Sequence, residues 1–290
     1  MVILHIKKGD ESQFLFKATV KTPLDELIPK LVRIYNGRLK LERICSEMES
    51  LAEHGICLPP NMQGLTDEQL DELHLVDEWK SQCIPSGGPV EKKDPMQRRN
   101  GHAPNDKMAD VIKRTTSEAK EAISKRQVTS NIFVTEETIQ DAMDKLRGAM
   151  MIVYPMGLPP HEPIRHEFEN CEDLSETQAG LEVLEEGTAQ LWWAGKECLR
   201  GKKLEDFVGR NEKTKIIAKL QKKGHGAPGR EQVFSEEEQK KMMAYAYKRQ
   251  EELKKLEQDE DDSHLNASWS DPTALKRTFA GVGDISWRPK

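Results

Sequence analysis

The sequence predicts an α+β fold. Three observations carry that reading. Short apolar runs with strand character stand at both ends of the first 222 residues. Long segments between and after them repeat their apolar residues every three or four positions. The punctuation is that of turns and caps: Gly9-Asp10, Pro59-Pro60, Ala194-Gly195 and the Ser or Thr residues before helical stretches.

Residues 191–220 organise the rest. An apolar run with Trp192 and Trp193 stops at Ala194-Gly195-Lys196. A second turn at Gly201 leads into Leu204 and Phe207, one helical turn apart. Ile216, Ile217, Ala218 and Leu220 form a second apolar run. Strand, turn, short 3₁₀-like turn, strand is the economical assignment, and this order resembles the second half of ubiquitin. The first half is assigned to the residues just before it. Residues 150–155 are read as a β-rich run, Gly157-Leu158-Pro159-Pro160 as a turn, and 164–169 as an alternating strand. Residues 176–186 are read as a helix with Ala179, Leu181 and Leu184 on its apolar face. The prediction is a ubiquitin-like β-grasp domain over 149–223, with an N-terminal ββα module and several long, partly exposed helices.

In chain order, Val2 to Ile6 and Phe14 to Val20 flank Lys8-Gly9-Asp10, a hairpin signal. Thr22 and Pro23 open a helix with Leu24, Leu27, Ile28, Leu31 and Val32 on one face, and Asn36-Gly37 is read as its stop. A separate helix follows over 39–53. This opening is also strand, strand, helix, and residues 1–84 are taken as a small α+β module that could itself be an incomplete grasp. Thr66 and Gln69 form a capping box before a short helix. Residues 85–105, with four prolines and three glycines, are read as a linker. Two connecting helices fill 106–148, with a short strand at 131–134 between them. Residues 224–234 are a second linker. Phe234 and Ser235 then set up a staple and a capping box for a charged amphipathic helix over 235–258. Its Glu237/Lys241 and Glu251/Lys255 spacings are those of stabilising pairs. Residues 259–290 are an acidic linker, expected to be disordered at its start, and a tail in which Ile285 and Trp287 are expected to add to a sheet edge.

Composition excludes several classes. Charged residues are 32% and hydrophobic ones 36% of 290 residues, with mean hydropathy −0.72, so compact cores coexist with exposed helices. A net charge of −6 argues against a general nucleic-acid binder. No apolar run is long enough to insert in a membrane, and the opening residues do not read as a signal peptide. The five cysteines are an odd, scattered set, read as reduced thiols in the cytosol. His161-Glu162-Pro163-Ile164-Arg165-His166 misses the zinc-protease spacing by one residue and carries a proline between the histidines. No phosphate loop, nucleophile elbow or dinucleotide fingerprint is present. The expectation is a protein without catalytic residues, metal or cofactor.

Two features suit docking of other proteins. Adjacent strand residues point to opposite faces, so one tryptophan enters the core and the other faces outward. By analogy with the exposed patch of ubiquitin the outward ring is assigned to Trp192, with a one-residue ambiguity of register at Ile216/Ile217. That ring is either covered by the chain's own helices or open to a partner. A basic run including Lys213, Lys215 and Lys219 is either a solvated face or a contact for an acidic surface. Candidate partner-binding residues are Trp192, Lys213, Lys215, Ala218 and Lys219. Met242, Tyr245 and Tyr247 join them from the charged helix, and Ile285 and Trp287 from the tail.

Four segments then carry a resemblance to one family: Leu58-Pro59-Pro60-Asn61-Met62-Gln63-Gly64-Leu65-Thr66, the run from Met151 through Pro160, Asn211-Glu212-Lys213-Thr214-Lys215-Ile216-Ile217, and Trp287-Arg288-Pro289. With these in order from end to end, the chain resembles the Kurly family of cilia- and flagella-associated proteins. The resemblance implies a role in motile cilia, in cytoplasmic assembly of outer and inner dynein arms, with links to polarity and basal bodies. It implies protein partners, namely axonemal dynein subunits or their assembly chaperones, or else microtubules or polarity proteins. Two other roles fit the residues: a structural microtubule-associated part of the axoneme, and a ubiquitin-like adaptor.

Overall fold

A five-stranded mixed sheet joins strands from the two ends of the Met1–Arg230 unit. The computed structural model describes residues 1–175, 177–229, 236–258, 273–278 and 280. The strands are β1 (Val2–Lys8), β2 (Glu11–Ala18), β5 (Ala189–Trp193), β6 (Lys196–Glu197) and β7 (Lys215–Lys222). Their order across the sheet is β2-β1-β7-β5-β6. β1 and β7 run parallel at the centre, with Leu4 opposite Ile216 and Ile6 opposite Ala218. The flanking pairs are antiparallel.

This is the strand order and polarity of a ubiquitin-like grasp, and it corrects where the first half comes from. The opening hairpin and the helix after it supply that half, so the 1–84 and 149–223 segments share one sheet instead of forming two modules. Residues 150–155 are not a strand: they end α5 (Glu136–Val153) and its cap. Residues 164–169 are not a strand either, but α6 (Pro163–Glu169), with Pro163 in its first turn. The helix expected over 176–186 is only α7 (Gln178–Glu182).

α1 (Leu24–His54) is one helix of 31 residues, not two. Asn36-Gly37 is therefore no stop. The Asn36 amide donates to Leu184 O at 2.6 Å and accepts from Leu184 N–H at 3.0 Å. A Cβ at residue 37 would stand 2.9 Å from Ile139 Cγ2. The pair forms a notch that lets two other segments close on the helix. Gly55, at φ 83°, ends it.

The core lies between α1 and one face of the sheet. Val2, Leu4, Ile6 and Phe14 meet Leu27, Leu31 and Ile34, all fully buried. Burying each such side chain contributes about 1.5–3 kcal/mol. The second half of the grasp is stitched to the first by backbone bonds: Leu24 N–H to Lys202 O, Leu204 N–H to Thr22 O and Glu205 N–H to Val20 O, the last from the first residue of α8 (Glu205–Val208).

Residues 55–188 are an insertion between the two halves. They hold α2 (Asp67–Glu72), α3 (Trp79–Gln82), strands β3 (Pro89–Glu91) and β4 (His102–Pro104), α4 (Asp106–Ile123), α5, α6 and α7. The Thr66/Gln69 capping box forms as expected. The segment 85–105 is not a linker, because β3 and β4 pair within it and Arg99 is buried. The short strand expected at 131–134 is a single bridge between Phe133 and Leu15.

α4 and α5 pack on α1 through Ile112, Ala119, Ala142 and Leu146. Beyond Arg230, α9 (Glu236–Gln258) and the short α10 (Ala274–Thr278) belong to a second unit. Phe234, Ser235, Ile285 and Trp287 lie outside the described residues.

Candidate interaction surfaces

The face of the sheet turned away from α1 is the first surface. Strand register places Lys17, Ile3 and Lys215 in one row and Leu15, His5 and Ile217 in the next. Trp192 lies opposite Lys219 on β7 and Glu197 on β6. Trp193 packs against the core, so Trp192 is the outward ring, as expected. It is half-buried, and its indole N–H has no partner among the described residues.

The ambiguity at Ile216/Ile217 resolves the same way. Ile216 enters the core, and Ile217 is 39% exposed beside the charged rows. Ala218 must be withdrawn from the candidate set. It is 1% exposed on the core face beside Ile6, because it shares the parity of Ile216. Ile3 and Ile217 were missed as members of this outer face; Leu15 shares the row of Ile217 but is fully buried. Once β1 and β7 are known neighbours, their alternation reveals them.

The basic run does not act as one field. Lys219 is buried, donating to Asp10 Oδ1 at 3.3 Å and Gly229 O at 2.9 Å. Lys215 reaches Asn131 Oδ1 at 3.5 Å. Lys203 pairs with Glu205, and Lys202 lies over the Phe207 ring. Lys17 stands 3.9 Å from the centre of the Phe133 ring. Lys213, Arg210 and Lys222 remain exposed.

α9 is the second surface. Met242, Met243, Tyr245 and Tyr247 are 55–73% exposed. Their segment, from Lys240 to Arg249, carries four cations and no carboxylate.

A third set of charged groups sits inside the fold. α1 presents Lys40, Arg43 and Glu47 along one stripe toward the insertion. Arg43 grips Glu167 through two bonds of 2.6 and 3.0 Å, and Lys40 donates to Glu172 at 2.7 Å. Arg99 donates to Glu47 Oε2 at 2.7 Å, to Gly55 O at 2.7 Å and to Glu162 Oε1 at 3.2 Å. Glu162 is wholly buried and also accepts from Cys57 N–H at 2.7 Å. Burial pushes its carboxyl up against the pull of Arg99. The Tyr154 hydroxyl lies buried without a partner among the described residues, its pKa raised by burial and then by Glu162.

The near-miss zinc sequence is absorbed into this structure. His161 Nε2 is 2.9 Å from Cys57 O, and His166 Nε2 is 2.6 Å from Pro160 O. Among the described residues, no three His, Cys, Asp or Glu side chains converge on a metal position. No helix among them is long and apolar enough to cross a membrane. Burial holds the thiols of Cys45, Cys57 and Cys198 up at about 11, so they stay protonated at neutral pH.

Comparison with known proteins settles the family. The model of cilia- and flagella-associated protein 298 matches residues 189–285, from β5 into the tail. The protein of that name from Homo sapiens is 64% identical over 290 residues, covering all of both chains. The chain belongs to this family. Its Xenopus laevis form A is 63% identical over the same length, and the Drosophila melanogaster protein is 48% identical over 288 residues, 99% of each chain. The resemblance read from the four sequence motifs is thereby borne out. Membership places the chain with cilium-associated proteins. No solved structure matches it.

Proposed function

We propose that this chain is a non-enzymatic interaction factor for motile cilia, acting in the cytoplasm in assembly of outer and inner axonemal dynein arms. The observation that carries the reading is end-to-end identity with proteins named as cilia- and flagella-associated. The surfaces suit it. A helix with large apolar side chains in water binds by laying that stripe into another protein, and α9 shows Met242, Tyr245 and Tyr247 in this state. The outer sheet face adds Trp192 and Ile217.

Proximity labelling from the full chain in ciliating cells tests it. Dynein heavy or intermediate chains should be enriched in the cytoplasmic fraction, and Y245A/Y247A should reduce that enrichment several-fold. Labelling that recovers no dynein subunit overturns the reading.

A structural role on axonemal microtubules is the second reading, supported by exposed Arg210, Lys213 and Lys222. Retention in demembranated axonemes after a high-salt wash would favour it over the first.

A further inference from the structure

The chain contains two Asn-Gly pairs, Asn36-Gly37 and Asn100-Gly101. Asparagine before glycine is prone to convert itself. The glycine nitrogen has no Cβ beside it to hinder approach, and it can close a five-membered ring on the side-chain amide carbon. The fold treats the two pairs in opposite ways.

Asn36-Gly37 lies inside α1. The N–H of a residue within a helix is spent on the carbonyl four positions back, and the helical backbone holds that nitrogen away from the preceding side chain. The Asn36 amide is also tied to the Leu184 backbone by bonds of 2.6 and 3.0 Å.

Asn100-Gly101 lies in the loop between β3 and β4, outside any helix. Among the described residues the Gly101 N–H donates no hydrogen bond. Asn100 Oδ1 accepts from the His102 N–H at 3.0 Å. The ring closed by that bond spans the Gly101 nitrogen, so the amide carbon is kept beside the atom that attacks it. The same N–H polarises the amide and stabilises the oxyanion formed on attack. Asn100 is only half-buried, so water reaches it.

We infer that Asn100-Gly101 is a site of spontaneous deamidation and backbone isomerisation in the folded chain, while Asn36-Gly37 is protected. The Gly101 nitrogen bonds to Asn100 Cγ, its proton passes to the departing amide nitrogen, and ammonia leaves. Water then opens the cyclic imide. Addition at Cγ gives aspartate in the original chain. Addition at the backbone carbonyl carbon of Asn100 routes the chain through the side chain, as isoaspartate. Water supplies the hydroxyl of the new carboxyl and the hydrogen returned to the Gly101 nitrogen, so no other reactant is needed.

Isoaspartate lengthens the main chain by one carbon where neighbours hold it on both sides. Asn100 N–H donates to Ile56 O at 3.0 Å, and Gly101 O accepts from Lys92 N–H at 2.8 Å. The adjoining Arg99 holds Gly55 O and Glu162. The product therefore loosens the seat of Arg99 and the pairing of β4. The site is separate from the sheet face and from α9, and its test does not depend on the dynein-arm reading.

The test incubates the full chain in mildly alkaline buffer, folded and in urea. Mass spectrometry of the Asn36 and Asn100 peptides follows replacement of NH2 by OH, and a carboxyl methyltransferase with labelled S-adenosylmethionine scores isoaspartate. In the folded chain Asn100 should convert more than about tenfold faster than Asn36, and in urea the two rates should converge. The aged chain should melt several degrees lower. Fresh N100D, which carries the charge without the rerouted backbone, should melt close to the unaged chain. N100Q, whose longer side chain closes its ring slowly, should keep its melting temperature through the same incubation. Retention of the Asn100 amide in the folded chain while the unfolded chain converts, or equal conversion at Asn36, overturns the site. A loss in fresh N100D as large as that of the aged chain overturns the role given to the backbone.

Discussion

Replacing Arg99 with methionine should destabilise the Met1–Arg230 unit severely, and the structure says why. Methionine keeps the apolar stem and removes the guanidinium. Glu162, wholly buried, then retains only the Cys57 N–H, and Gly55 O loses its 2.7 Å side-chain donor. Removing one partner of a buried ion pair costs about 3–5 kcal/mol, and an orphaned carbonyl adds about 1 kcal/mol. For a unit of this size the sum corresponds to a fall in melting temperature of roughly 10–20 °C.

The same loss predicts a pH dependence. The Glu162 carboxyl already sits above its ordinary range, because burial outweighs Arg99 and the Cys57 amide. Without Arg99 it rises further. A carboxyl raised in the folded state binds more protons there than in the unfolded chain. Stability is therefore greatest below the ordinary carboxylate range and is lost as pH rises through the folded value. Urea unfolding of the full chain followed by tryptophan fluorescence, from pH 5 to 8, reads both effects. R99M should weaken steadily over that window. R99M/E162Q should show a flatter profile, and R99M/E162M should be no less stable than R99M alone. A loss below about 1 kcal/mol in R99M, or a double variant destabilised by the sum of the singles, would refute the buried-pair argument.

Three other perturbations separate local from tertiary effects. Gly37→Ala should cost about 1 kcal/mol, because crowding of Ile139 outweighs the gain in helix propensity; in an Ile139→Ala background the same change should stabilise, as read by urea midpoint. Asp94 is pushed up by burial, but the amides of Met96, Arg98 and Arg99 outweigh this and hold its carboxyl low. Its contribution is present above the ordinary carboxylate range and lost on acidification, so Asp94→Ala should flatten the acid limb of melting temperature as pH falls below about 4. Trp193→Ala should cost about 2–3 kcal/mol, whereas Trp192→Ala should cost about 1 kcal/mol or less; equal losses in chemical unfolding would contradict their assignment to opposite faces.

Much of the chemistry was legible from residue order. The Lys8-Gly9-Asp10 hairpin and the Thr66 capping box depend on neighbours within a few residues, whereas the outward position of Trp192 was read from the likeness to ubiquitin. Alternation and cap chemistry act over that distance. The Arg99–Glu162 pair was not legible, because its members come from segments far apart in the chain. A short apolar run such as residues 150–155 satisfies helix and strand alike until its neighbours are known. It became the end of α5 because Met150 and Val153 are buried against the common core.

What the sequence determined by itself was the kind of fold, the local elements at each end and the family. What only the tertiary structure decided was which pieces complete each other. Two strand-strand-helix openings were available, and the first won. Its β1 reaches β7 across more than two hundred residues, with Leu4 and Ile6 beside Ile216 and Ala218. Parallel pairing needs a long crossover, and no local pattern specifies where such a crossover lands. Burial of both strands' apolar faces under α1 specifies it. The same closure turned Asn36-Gly37 from an apparent stop into the notch that admits Leu184 and Ile139.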